Sequence, residues 1–295
     1  MARQFILGTD WWTDCDDAVA LRVLLRAHKK GDVKLAGIGI NATMEYSAPS
    51  VDGFLNLEGV SDVPIGIDLD ATDYGGNPRY QKRLSESAVR YKKNEDAEDA
   101  VRLYRRIIAE SEDKVEIIEI GFMQVIAAVL ESGADDISNK TGMELFNEKV
   151  EKVWVMAGKW DENGGWENNF ARTERTAKAS AILCKKCPVP MTFLGFEIGE
   201  TVITGGRLNR DDFLYKVLYD HGSYNGRCSW DPMTAIMAVI GDEAKAGYNI
   251  AEGKASVDGA TGKNYFEEEK GGLHKFVIKA HPDSFYEDMI NDYIK

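Results

Sequence analysis

Asp10, Asp14, Asp16 and Asp17 fall within eight residues of one another in the segment Gln4 to Leu21, QFILGTDWWTDCDDAVAL. Like charges packed this densely repel one another unless something positive sits among them. An oxygen-rich cluster of this kind suits a hard divalent cation such as Ca²⁺ or Mg²⁺. Aspartate at a helix start also caps backbone N–H groups and interacts well with the helix dipole, so Asp14 or Asp16 has a purely structural alternative. Capping does not account for all four, and the segment is read as a metal site. Cys184-Lys-Lys-Cys187 has the spacing of half a zinc or redox site. With no second pair to complete it, it is read as structural.

The elements that must hold these carboxylates follow from periodicity. Phe5-Ile6-Leu7 is an apolar strand, and Ala18 to Ala27 is an amphipathic helix that stops at Lys29-Lys30-Gly31. Further strands are expected at Val33–Ile40, Pro64–Ile67, Val115–Ile120, Lys152–Ala157, Met191–Phe196 and Phe276–Ile278. Helices are expected at Tyr46–Leu57, Asp96–Ser111, Gln124–Leu130, Thr173–Leu183, Asp211–Tyr219, Met233–Ile240 and Pro282–Ile294. The Gly-rich stretch Asp68–Arg83 reads as a mobile loop over a site, and Gly222–Ser229 as a second loop. Strands alternating with helices imply an α/β fold, an open, mainly parallel sheet flanked by helices on both faces, with a small C-terminal β/α extension. Residues 1–295 are read as a single domain, and ligands in such folds bind beyond the carboxyl ends of the strands.

A net charge of −13 argues against nucleic acid and anionic membranes as partners, because both need a basic face. A small neutral molecule fits better. No run approaches the roughly 18 apolar residues of a membrane helix, and Met1-Ala-Arg-Gln leads straight into a strand without a signal-peptide core. A soluble, cytoplasmic protein is the expectation. Four cysteines are too few for a disulfide scaffold in 295 residues.

Four segments together resemble the nucleoside hydrolase family, whose members cleave the N-glycosidic bond of ribonucleosides with Ca²⁺ in an open α/β fold. Thr9-Asp10-Trp11-Trp12-Thr13-Asp14-Cys15-Asp16-Asp17-Ala18 is similar to the family's Asp-x-Asp-Pro-Gly-x-Asp-Asp-Ala opening, lengthened by two residues, with Gly8 where many members carry another aspartate. Ile120-Gly121-Phe122-Met123-Gln124-Val125-Ile126-Ala127 resembles its Thr-Gly-x-x-Thr-Asn-Ile-Ala turn, where a backbone carbonyl binds metal. Met156-Ala157-Gly158 with Glu167-Asn168-Asn169 resembles the elements that hold the sugar, and Trp230-Asp231-Pro232 the pair that opens a late helix. Each segment is weak singly; their order across residues 4 to 240 carries the specificity.

The resemblance implies Asp10 as metal ligand and general base, with Asp17, Asp231 and the Ile120 carbonyl completing the protein's share of a Ca²⁺ site. Asp16, Asn41, Glu167 and Asn169 are left for ribose hydroxyls, and water activated by the metal attacks the anomeric carbon. Trp12 and Trp230 offer aromatic faces to a flat base, in keeping with a purine substrate in nucleoside catabolism and purine salvage. No histidine lies between His28 and His221, so a histidine acid has no counterpart in the Asp68–Arg83 loop; His221 and Tyr224 are the alternative proton donors. A homo-oligomer, dimer or tetramer, is expected. Two other readings compete: a Mg²⁺-dependent phosphatase of the haloacid dehalogenase type, disfavoured because Trp12 stands where its second aspartate belongs, and a non-catalytic nucleoside- or sugar-binding protein that keeps the metal pocket.

Overall fold

Successive side chains of Phe5-Ile6-Leu7 part company: Phe5 and Leu7 enter one hydrophobic core and Ile6 the other. That is the signature of a strand covered on both faces. The same alternation recurs at Trp154 and Met156 against Val153 and Val155, so two helical layers sandwich the sheet along its length. The computed structural model describes residues 2–295.

In chain order the strands are β1 (Arg3–Thr9), β2 (Val33–Ile40), β3 (Ile65–Ile67), β4 (Glu98–Asp99), β5 (Val115–Glu119), β6 (Val150–Met156), β7 (Met191–Leu194), β8 (Ile203–Thr204), β9 (Arg227–Cys228), β10 (Tyr248–Val257), β11 (Asn264–Glu268) and β12 (His274–Lys279). Ten form one sheet in the order β11-β10-β12-β7-β6-β5-β1-β2-β3-β4. Every pairing from β12 to β4 is parallel, and only β10 pairs antiparallel, with β11 and β12. The expected C-terminal extension is therefore an edge of the main sheet, because β12 docks beside β7. β8 and β9 make a separate antiparallel ribbon inside a stretch read partly as loop.

The helix expected from Ala18 begins two residues earlier, at Asp16, and runs to Lys30, where Gly31 adopts the left-handed conformation (φ 78°) that closes it. A helix at Gly142–Lys149 escaped the periodicity, although Thr141 and Glu144 form a capping box at its start. The Asp68–Arg83 stretch is anchored rather than loose. Tyr74 lies flat on Phe122 at 3.9 Å, and Tyr80 Oη donates to the Asp14 carbonyl at 2.7 Å. Gln81 Nε2 donates to the backbone carbonyls of Trp11 and Trp12, so this loop clamps the acidic one. Cys184 and Cys187 are buried free thiols, in keeping with a structural pair.

Candidate functional site

The carboxyl ends of β1, β5, β6 and β7 deliver Asp10, Ile120, Met156 and Phe196 to the rim of one cavity of about 280 Å³. Small-molecule sites usually start near this size, roughly 300 Å³. The helices Asp16–Lys30 and Trp230–Ile240 complete the wall. Asp16 and Asp17 lie in the first turn of one, and Asp231 in the first turn of the other. Neither Asp14 nor Asp16 caps the helix Asp16–Lys30: Cys15 holds its N-cap position without a side-chain hydrogen bond.

Asp16, Asp17 and Asp231 each place a carboxylate oxygen within 4.8 Å of the others, and all three are buried. Asp16 Oδ2 accepts the Asp231 N–H at 3.2 Å, and Asp17 Oδ1 accepts from Trp11 N at 3.2 Å and from the Thr9 hydroxyl. Among the described residues none of the three has a cationic partner at ion-pair distance. Burial, then repulsion from neighbouring aspartates (Asp14 on Asp16, Asp10 on Asp17, Asp16 on Asp231), drives their pKa values well above the ordinary carboxylate range. Asp10 sits beside them on the Trp12 N–H (3.2 Å) and is pushed up to about 8, chiefly by burial. A divalent ion inverts this arithmetic, since it replaces repulsion among buried oxygens by attraction to each. The donor set, all oxygen and uncompensated, fits such an ion.

Asp14 differs from its neighbours. Burial opposes its charge, but Arg227 grips it at 2.9 Å through Nε and 2.5 Å through Nη2, and its pKa falls below the usual value. It is a salt-bridge partner rather than a member of the metal cluster.

Glu167 and Asn169 line the opposite wall. Glu167 accepts from Gly158 N at 3.0 Å and Asn169 N at 2.8 Å, and burial lifts it to about 7. Asn169 Nδ2 is clamped between the carbonyls of Ile120 (3.1 Å) and Met156 (3.0 Å), which leaves its amide oxygen without a protein donor. Trp12 and Trp230 line the cavity as well; Trp230 stacks on Phe196 at 5.4 Å, and Arg172 lies over Trp12 at 4.7 Å. Trp11 and Trp160 pack into the cores, and Trp166 is exposed.

Of the residues assigned to metal or substrate from sequence, all but Asn41 line this one cavity. Asn41 is fully buried, and its amide is spent internally: Oδ1 accepts from Phe122 N at 2.8 Å and Nδ2 donates to Glu119 at 2.8 Å. In this structure Asn41 therefore braces the turn after β5 and does not reach the cavity expected to hold the ribose. His221 and Tyr224 do not line the cavity either.

Two residues escaped the sequence reading. Glu119 is fully buried and lies across Gly8, its register partner on β1, where any Cβ would collide with both carboxylate oxygens. Its Oε2 has no partner, and burial raises its pKa to about 8. Two glutamates, Glu116 and Glu119, in a strand whose other residues are apolar, Val115-Glu-Ile-Ile-Glu119, were the available signal. Arg227 is the other, a lone cation inside an acidic cavity.

No protein-family model matches the sequence, and no curated protein matches it. Solved structures do. The chain is similar to the inosine-uridine preferring nucleoside hydrolase from Bacillus anthracis, at 16% identity and TM-score 0.66 over 99% of this chain and 97% of that one. It is also similar to the type III effector protein XopQ, solved with adenosine diphosphate ribose, at 14% identity and TM-score 0.72 over 100% of this chain and 94% of that one. These likenesses establish that the chain has the α/β fold of nucleoside hydrolases. Among the described residues no helix is long and apolar enough to cross a membrane.

Proposed function

We propose that the protein is a divergent nucleoside hydrolase, a Ca²⁺-dependent enzyme that cleaves the N-glycosidic bond of a ribonucleoside to free base and ribose. One observation carries the reading: carboxylates more than 200 positions apart in the chain, Asp10, Asp16 and Asp17 on one side and Asp231 on the other, meet in a single cavity, and none of them is ion-paired to a cationic side chain. Asp10, Asp17, Asp231 and the Ile120 carbonyl would hold the ion, and the six to eight oxygens that Ca²⁺ prefers leave room for oxygens from water and ribose. The ion supplies Lewis acidity and a fixed positive charge at the reacting centre.

Asp10 takes the proton from the attacking water. Its carboxylate lies within the cavity, accepts from the Trp12 backbone N–H and has no side-chain donor that must be displaced. Asp16, Glu167 and the free amide oxygen of Asn169 receive the sugar hydroxyls; hydrogen bonds of this kind can tighten as the ring gains oxocarbenium character. Trp230 and Trp12 face the flat base, a purine in this reading. The complex of XopQ with adenosine diphosphate ribose supports a ribose-bearing ligand for the shared fold. A sheet continuous from β1 to β12 supports treating residues 1–295 as one domain, and we place the enzyme in the cytoplasm as a homo-oligomer.

Incubation with inosine, adenosine, guanosine, uridine and cytidine in the presence of Ca²⁺, followed by assay of free ribose, tests the proposal. Ribose release that stops on chelation supports it. Saturable nucleoside binding without ribose release transfers the reading to a non-catalytic binding protein, a possibility favoured by one feature, the absence of histidine from the cavity wall.

A further inference from the structure

Breaking an N-glycosidic bond leaves an electron pair on the base nitrogen, and something must meet the charge that grows there. The cavity wall carries six carboxyl groups and one guanidinium. The two proton donors considered from sequence stand elsewhere. His221 is not part of the wall: its Nδ1 binds Ser223 at 2.8 Å and its Nε2 stands 3.8 Å from Asp14 Oδ1, and Tyr224 is exposed beside Tyr219. Asp14 is committed as an anion to Arg227.

Arg227 itself is differently placed. It sits on β9, pinned by pairing with β8, and its Nε and Nη2 are fixed on Asp14. Its Nη1 has no protein acceptor among the described residues, and its guanidinium lies 5.3 Å from the centroid of the Trp230 ring. The other stacking neighbour of Trp230 is Phe196, whose carbonyl accepts from Trp230 Nε1 at 2.7 Å, so this aromatic wall is held rigidly. A flat heterocycle placed against Trp230 comes within reach of the one cation in the cavity that still has a hydrogen to give.

We propose that Arg227 is the catalytic residue that serves the leaving base, donating from Nη1 to a base nitrogen or carbonyl oxygen. The inference rests on the N-ribosyl hydrolase reading. In the step, the C1′–N bond breaks with its electron pair going to the base, water oxygen bonds to C1′, and the water's proton goes to Asp10. Arg227 keeps its own protons, as a guanidinium does in proteins. It stabilises the base anion, which takes a proton from solvent, and Asp10 returns its proton to solvent. Hydrogen-bond donors aimed at developing charge in a site of low dielectric act in this way. Asp14 is the positioning residue that orients the guanidinium.

The test compares two leaving groups. Wild type, Arg227→Met and Arg227→Lys are assayed on inosine and on 4-nitrophenyl β-D-ribofuranoside, whose nitrophenolate departs without help, and circular dichroism with the Ca²⁺-induced thermal shift checks each fold. Arg227→Met should lose on the order of 10²-fold in kcat on inosine while keeping most of its activity on the nitrophenyl riboside; Arg227→Lys should recover part of the loss. Equal losses on both substrates, no loss on inosine, or a wild type active on the nitrophenyl riboside alone would overturn the proposal. Should the wild type cleave neither riboside, the hydrolase reading fails separately. Hypoxanthine titration followed by tryptophan fluorescence then decides whether Arg227 contacts a base: affinity about tenfold weaker in Arg227→Met upholds that contact, and unchanged affinity overturns it.

Discussion

Two buried acidic regions of this protein are built on opposite plans. Glu58 is surrounded by cations from the helix Asp16–Lys30: Arg22 Nε at 2.7 Å, Lys29 Nζ at 2.7 Å and Arg26 Nε at 3.8 Å, with Arg22 also holding Asp212 at 2.7 Å. At the other end of the same helix, Asp16 and Asp17 meet Asp231 with no such partner. A chain that neutralises one buried carboxylate three times over and leaves three others bare has left them for a cation from solution. The contrast separates a structural charge network from a binding site more sharply than burial does, since both regions are buried.

The largest test of the contrast removes one carboxylate from each region. Glu58→Ala should cost about 3–5 kcal/mol in denaturant unfolding, because Arg22 is then left buried with half its partners gone. Asp231→Asn in metal-free protein at about pH 8 should move the other way, gaining about 1 kcal/mol as repulsion is relieved, and should abolish the stabilisation by Ca²⁺. Similar losses in both variants would erase the distinction between the regions.

Next comes chemistry. Asp10→Asn keeps an oxygen ligand but removes the proton acceptor, and turnover should drop by about 10²–10⁴-fold, measured as ribose release. Near-normal activity would acquit Asp10 of the role.

A pH series sharpens the comparison further. Folded-state values raised to about 8 for Asp10 and about 7 for Glu167 mean that the folded protein binds protons more tightly than the unfolded chain does. Their contribution is fully present below the unfolded value near 4 and is lost as pH climbs through the folded ones. The melting temperature of metal-free protein should therefore decline from about pH 5 to about pH 8. Ca²⁺ at about 100 times its Kd should restore ~2.7 kcal/mol at the upper end, with much less effect at the lower. A flat metal-free profile, or equal Ca²⁺ stabilisation at both ends, contradicts the cluster.

The smallest expected effect concerns the floor under the site. Gly8→Ala should cost about 1–3 kcal/mol by overpacking against Glu119. Adding Glu119→Ala should recover much of that loss, so that the pair is strongly non-additive in thermal unfolding. Additive losses would mean that the collision at Gly8 is relieved by some other movement.

What was legible along the chain had a local cause. The Phe5–Leu7 strand, the stop at Gly31 and the acidic turn each express a short-range rule: alternation, the left-handed cap, or repulsion among close charges. The resemblance of the four ordered segments anticipated their common cavity as well. Trp11 and Trp12 show the limit, being adjacent in sequence and of one type. Trp11 turns inward to donate to Ser50 at 2.7 Å, and Trp12 lines the cavity.

The amino-acid order by itself determined the alternating strand and helix pattern and the acidic turn between β1 and its helix, because these depend on neighbours a few residues away. Tertiary structure alone decided that Asn41 is spent on Glu119, that Gly8 must stay bare, and that Arg227 reaches Asp14 beside Trp230. Those facts arise between strands and loops that lie far apart along the chain, where register and packing, and not spacing in the sequence, set the distance between two side chains.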